Sequence, residues 1–148
     1  MKKSIDEKFV KEAVINYLSR LGYNRYLKAK ELGEHGIDIK VRHYRYARYF
    51  IVEVKGEPDP NRQKYPGSAR EVNFNYVLGQ ILSRMKYKAL YKYGIGLPES
   101  YSDKIFRRLS WLVCKKLNLY VFLVNNKGSA KEYYWRDLKK IQDKKSRN

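Results

Sequence analysis

The chain has 148 residues, 43% hydrophobic and 32% charged, which is enough for one domain with a substantial core. Its 33 lysines and arginines stand against 15 acids, a formal net charge of +18, so the compact state repels itself unless an anionic partner relieves it. A single cysteine, Cys114, excludes an internal disulfide and a cysteine zinc cluster, and the longest apolar run, Tyr120 to Val124, is far too short to cross a bilayer.

Nucleic acid is the expected partner, with an anionic membrane surface second; twelve arginines and the mixing of basic residues with tyrosine favour the first. No membrane role is expected, because no basic amphipathic helix with a broad apolar face stands out. No apolar stretch follows Met1-Lys2-Lys3, so no signal peptide is expected and a cytoplasmic location is. His35 and His43 are too few for a zinc site without help.

The first helix is expected from about Ile5 to Leu21. Ser4 stands three residues before Glu7, the spacing of a capping box, and Val10, Val14, Tyr17, Leu18 and Leu21 recur at helical spacing before Gly22. Tyr23 to Leu27 reads as a short strand. Ile37–Tyr44 and Arg48–Lys55 read as two strands joined by a tight basic turn. Alternation puts Phe50, Val52 and Val54 on one face and Ile51, Glu53 and Lys55 on the other, and antiparallel pairing allows Asp38 to face the same side as Glu53.

Three of the four prolines, Pro58, Pro60 and Pro66, fall in a loop from Gly56 to Gly67. Ser68 and Glu71 form a second capping box, opening a helix to about Tyr87. A strand follows over Ala89–Leu97. Ser102 opens a third helix whose inner face would carry Ile105, Phe106, Leu109, Leu112 and Val113, with Cys114 buried beside them, and Asn118 ends it. Leu119–Val124 is a buried strand, Asn125–Gly128 a turn and Lys131–Trp135 a closing edge strand. The core then covers about 5–135 of a single domain, and the basic tail from Lys139 to 148 is expected to fray.

The chemistry concentrates where acids interrupt apolar strands. An acid, any residue, then lysine occurs five times here, but only Glu53-Val54-Lys55 follows four apolar residues and precedes a glycine. Burying Asp38 and Glu53 is costly unless something pairs with them, and a divalent cation is the expected partner for two converging carboxylates. Around them Arg42, Tyr44, Arg45, Tyr46, Arg48 and Tyr49 crowd the hairpin tip, while Lys64, Arg70, Arg84, Lys86 and Lys88 follow along the loop and second helix. Such residues position a nucleic acid through its phosphates and stack on unpaired bases.

The order of elements, with Gly36-Ile37-Asp38 and Glu53-Val54-Lys55 on adjacent strands, resembles the PD-(D/E)xK nuclease superfamily over about residues 5–124. The resemblance implies an α/β, restriction-endonuclease-like core: a central mixed β-sheet flanked by helices in the order αβββαβαβ. It implies a metal-dependent endonuclease, DNA being the expected substrate, in a restriction, repair or recombination setting. Asp38, Glu53 and the backbone carbonyl of Val54 would bind Mg2+, with Mn2+ able to substitute. Lys55 would orient or activate water. A first-helix glutamate would complete the site, Glu12 first and Glu7 as the fallback, and Gln80 would belong to it on the second helix. Ile37 stands where the family often has proline, and Arg84 stands where some members have a tyrosine four residues after the glutamine. Cutting both strands of a duplex favours a homodimer. Two rival readings remain open: a non-catalytic basic nucleic-acid-binding module and a degenerate nuclease fold serving in assembly.

Overall fold

A computed structural model describes residues 5–27, 36–62, 64–86 and 89–146. Ser4, His35, Tyr87 and Lys88, assigned above, lie outside the described residues. The chain runs α1 (Glu7–Arg20), β1 (Arg25–Tyr26), β2 (Ile39–Arg42), β3 (Tyr49–Val54), α2 (Pro66–Ser83) and β4 (Tyr91–Pro98). A short 3-10 turn (Glu99–Tyr101) leads into α3 (Ser102–Arg108), α4 (Trp111–Leu117), β5 (Leu119–Val124), β6 (Ala130–Tyr133) and α5 (Trp135–Ser146). The architecture is α/β, a six-stranded mixed sheet in sequential order flanked by helices. β1, β2 and β3 are antiparallel, β3, β4 and β5 are parallel, and β6 returns antiparallel to β5.

Each face of the sheet buries its own core. Phe50, Val52 and Val54 of β3 join Val10, Val14 and Leu18 of α1, as the alternation requires. Ile51 faces the other way, under Phe74, Val77 and Ile81 of α2 and, further along the sheet, Ile105, Cys114 and Leu138. β5 is buried at every position, which explains its unbroken apolar sequence in the middle of the sheet. α1 can lie close because Gly96 stands beneath it: a Cβ there would fall 2.9 Å from Val54 Cγ1 and 3.1 Å from Val14 Cγ2.

Several boundaries differ from the sequence reading. Asp6 caps α1, its Oδ1 accepting from the Phe9 N–H at 2.8 Å. α2 starts three residues early at Pro66, behind Tyr65, which caps it without a side-chain bond, so Ser68 sits inside the helix. Proline suits that first turn because its missing N–H would have no helical partner there.

The expected third helix is two helices, broken at Leu109 and Ser110, and Ser110 caps the second through the Leu112 N–H. The break resets the helical phase. Trp111, Cys114 and Leu117 turn inward, while Leu112 and Val113, expected inside, are 44% and 41% exposed.

As far as Ser146 the tail is not frayed but forms α5. Gln142 explains both departures. Its Nε2 donates to the carbonyls of Leu109 (2.6 Å) and Phe106 (3.2 Å), and its Oε1 accepts from the Trp111 N–H (3.0 Å). One side chain thus satisfies the backbone groups exposed by the break and ties α5 to it, with Leu138 wholly buried alongside. Gln142→Ala should cost roughly 2–3 kcal/mol in urea unfolding, by orphaning part-buried backbone groups. Hydrogen exchange should show lost protection concentrated in α5 and the α3–α4 break; loss spread evenly over the sheet would refute the assignment.

Candidate active site

The β2–β3 pairing sets Ile39 opposite Val52. One further step of that register brings Asp38, just before β2, opposite Glu53. Asp38 Oδ2 accepts the Val54 N–H at 2.9 Å, so its carboxylate extends the ladder where the strand itself has ended. The amide N–H of Val54 thus meets the acid pair directly.

Glu53 is wholly buried, as its place on the α2-facing side of β3 dictates. Its Oε1 accepts from Arg84 Nε at 3.1 Å, and its Oε2 has no hydrogen-bond partner among the described residues. Burial, then the hydrogen bond and charge of Asp38, push the Glu53 carboxyl up to about 8, against the opposing pull of Arg84. Two carboxyl groups set side by side, one of them buried, are expensive unless they share a proton or a cation lies between them. Together they form an oxygen-only donor pair, which fits a hard divalent cation. No cluster of three or more His, Cys, Asp or Glu able to hold a metal occurs among the described residues.

Lys55 follows directly after β3, its N–H bonded to the Gly96 carbonyl at 3.0 Å. Its Nζ lies 3.8 Å from Glu7 Oε2 and 4.7 Å from the centre of the Tyr76 ring. Its side chain is 27% exposed, so the ammonium is held but reachable. Gln80 Nε2 donates to Tyr76 Oη at 3.2 Å. Tyr76, Gln80 and Arg84 recur every four residues, so α2 presents a row of polar side chains to Lys55 and Glu53.

Glu12 is exposed on α1, and the glutamate that the structure brings to Lys55 is Glu7. Helical geometry decides between them. Glu12 lies about 200° around from buried Val10, whereas Glu7 lies about 60° from it. Gly56 holds the N-terminus of α1 in place: a Cβ on it would fall 2.4 Å from the Glu7 backbone nitrogen. Beside Lys55 and Glu7 a groove of about 580 Å³ opens, lined also by Glu57, Ser68, Val72 and Asn73.

The expected phosphate contacts divide in two. Arg70 is half-buried, its Nε 3.0 Å from Glu57 Oε2, and Arg84 is bound to Glu53, so both are engaged within the protein. Arg42 Nη1 donates to the His43 carbonyl at 3.0 Å. Lys64, Lys86, Arg45, Tyr46 and Arg48 are exposed. At the hairpin tip, His43 stacks against Tyr44 and Tyr46 at 4.9 and 5.0 Å. Arg45 lies over Tyr44 and Arg48 over Tyr46. His43 Nδ1 accepts the N–H groups of Arg45 and Tyr46, so it braces the tip. Arg48, just before β3, and Glu53 are five positions apart, roughly 17 Å at strand rise.

The sequence reading missed Tyr76, although its four-residue spacing to Gln80 was visible. It also missed an exposed row on α5, Arg136, Lys140 and Lys144, because that segment was taken as loose. Cys114 is buried, and burial raises its thiol to about 12, well above the range of a reactive thiolate. No helix among the described residues is long and apolar enough to cross a membrane. In comparisons with protein families, curated proteins and solved structures, nothing matches the chain.

Proposed function

We propose that the protein is a divalent-metal-dependent endonuclease acting on DNA, on a restriction-endonuclease-like core of the PD-(D/E)xK kind. One observation carries the reading: the wholly buried Glu53 is set beside a second carboxyl, Asp38, which helps to raise it to about 8, two residues before Lys55. A fold built only for stability has little reason to bury a carboxylate that way.

Asp38 and Glu53 would hold Mg2+, or Mn2+ in its place, through carboxylate oxygens. When bound, such an ion stabilises charge on the phosphoryl and leaving oxygens and acidifies water. Lys55 offers a donor at the edge of the groove, able to orient the attacking water and meet the phosphate. Glu7 and Tyr76 hold its ammonium in place, and Gln80 holds Tyr76. The exposed cations of the hairpin tip and of α5 supply sequence-independent grip on phosphates. One acid pair cuts one strand, so a duplex cut calls for two copies of the chain.

The bond from Arg84 to Glu53 favours a second reading, in which the acid is half of a structural ion pair in a non-catalytic nucleic-acid-binding module. A panel of linear duplex, flap, four-way junction, single-stranded DNA and RNA separates the two, run with Mg2+, Mn2+ and chelator beside Asp38→Ala. Metal-dependent cutting that disappears in Asp38→Ala while binding persists supports the nuclease. Salt-sensitive binding without cutting of any substrate supports the module.

A further inference from the structure

A hydrolytic cation site has to admit water and a phosphate oxygen, yet Glu53 is almost wholly covered. Some covering group therefore moves before the acid pair can work. Arg84 is the residue placed to do so. Its Nε bonds Glu53 Oε1 at 3.1 Å, while its side chain is 23% exposed against 1% for Glu53. It stands at the C-terminal cap of α2, with exposed Lys86 two residues beyond. The guanidinium is thus at once the counter-ion of a buried carboxylate and a cation within reach of solvent.

We infer that Arg84 exchanges partners during the reaction cycle: it leaves Glu53 for a phosphate of the bound strand, and so ties cation binding at Asp38 and Glu53 to the presence of nucleic acid. The inference rests on the metal-dependent reading above and adds a substrate-contacting residue to it. Two features make the exchange physically reasonable. A guanidinium offers the same planar fork to carboxylate and to phosphate, so its hydrogen bonds are replaced rather than lost. Until it leaves, its positive charge sits about 3 Å from a ligand oxygen and opposes a divalent cation there. Binding of the phosphate and of the cation then favour each other, and by linkage the coupling is reciprocal. A nuclease with this arrangement would hold metal weakly when idle.

The test reads metal binding directly. Mn2+ alone is titrated into the protein and followed by its free-ion paramagnetic resonance signal, then again with a phosphorothioate DNA duplex present. Arg84→Gln is compared with wild type. Arg84→Met, which keeps the aliphatic packing, is run beside it, and Lys116→Gln matches the loss of charge at an exposed position far along the chain. Asp38→Asn identifies the site being read. Both Arg84 variants should bind Mn2+ about tenfold more tightly than wild type. The duplex should tighten Mn2+ about tenfold in wild type and hardly at all in the variants. Unchanged or weaker Mn2+ binding in both variants, with wild-type binding that Asp38→Asn removes, would overturn the inference and leave the cation site standing, with Arg84 reduced to orienting Glu53. Binding that Asp38→Asn leaves untouched in every protein would instead remove the cation site itself.

Discussion

Lys55→Ala should lower single-turnover cleavage by about three orders of magnitude, in the range that a positioned proton donor or acceptor contributes, while the dissociation constant for DNA moves by no more than about threefold. The two effects separate because they draw on different parts of the molecule. On the proposed reading, binding would be spread over many of the exposed basic side chains, so removing one would reduce the salt dependence by at most about one phosphate contact. Chemistry would depend on one ammonium, held 3.8 Å from Glu7 Oε2 and 4.7 Å from the centre of the Tyr76 ring. Lys55→Arg should rescue little, since a planar fork does not settle where a compact ammonium sits between a carboxylate and a ring face. Glu7→Gln, which loosens Lys55 without removing it, should cost roughly tenfold, consistent with a group acting through its neighbour. A Lys55→Ala protein whose affinity falls in step with its cleavage would mean that Lys55 serves only as one more phosphate contact.

The site was legible in the sequence where a single strand decided it. Alternation along β3 assigns Glu53 to one face and Phe50, Val52 and Val54 to the other, and the pairing with β2 follows from the turn between them. What joins the site from elsewhere was less legible. Choosing between Glu7 and Glu12 depends on where Gly56 lets the N-terminus of α1 approach, a long-range contact. Arg84 read as a surface cation, because nothing local reveals that the C-terminal end of α2 passes over Glu53. The C-terminal region failed for a related reason. Lys139 to Lys145 has the composition of a loose tail, and α5 exists because Gln142 and Leu138 dock it against α3 and α4. A helix of that length gains most of its stability from packing, which composition does not show.

Glu53→Gln should abolish turnover and at the same time make the metal-free protein more stable at pH 8, by on the order of 3 kcal/mol. The carboxyl titrates near 8 in the fold against an ordinary 4.5, so the folded state holds its proton more tightly than the unfolded chain. Below about pH 4.5 both states carry the proton and the fold keeps its full stability. As pH rises from 4.5 towards 8 the unfolded chain ionises first, and stability falls throughout that window. A glutamine carries no charge to desolvate, keeps an oxygen for Arg84 and escapes the repulsion of Asp38, so it should follow a flat line where wild type slopes downward. In melting temperature the gap at pH 8 should reach roughly 6–12 °C and close by pH 4. Millimolar Mn2+ should narrow it from the other side, raising wild type and leaving Glu53→Gln unmoved, because an ion that binds only the folded carboxylate pair stabilises only the protein that has it. A flat wild-type profile between pH 5 and 8 would mean that Glu53 stays ionised in the fold, with Arg84 as a sufficient counter-ion, and would favour the structural ion pair over the nuclease. A slope that Glu53→Gln removes and Mn2+ suppresses would instead show stability given up at the one position where the chemistry requires a buried, ionisable oxygen.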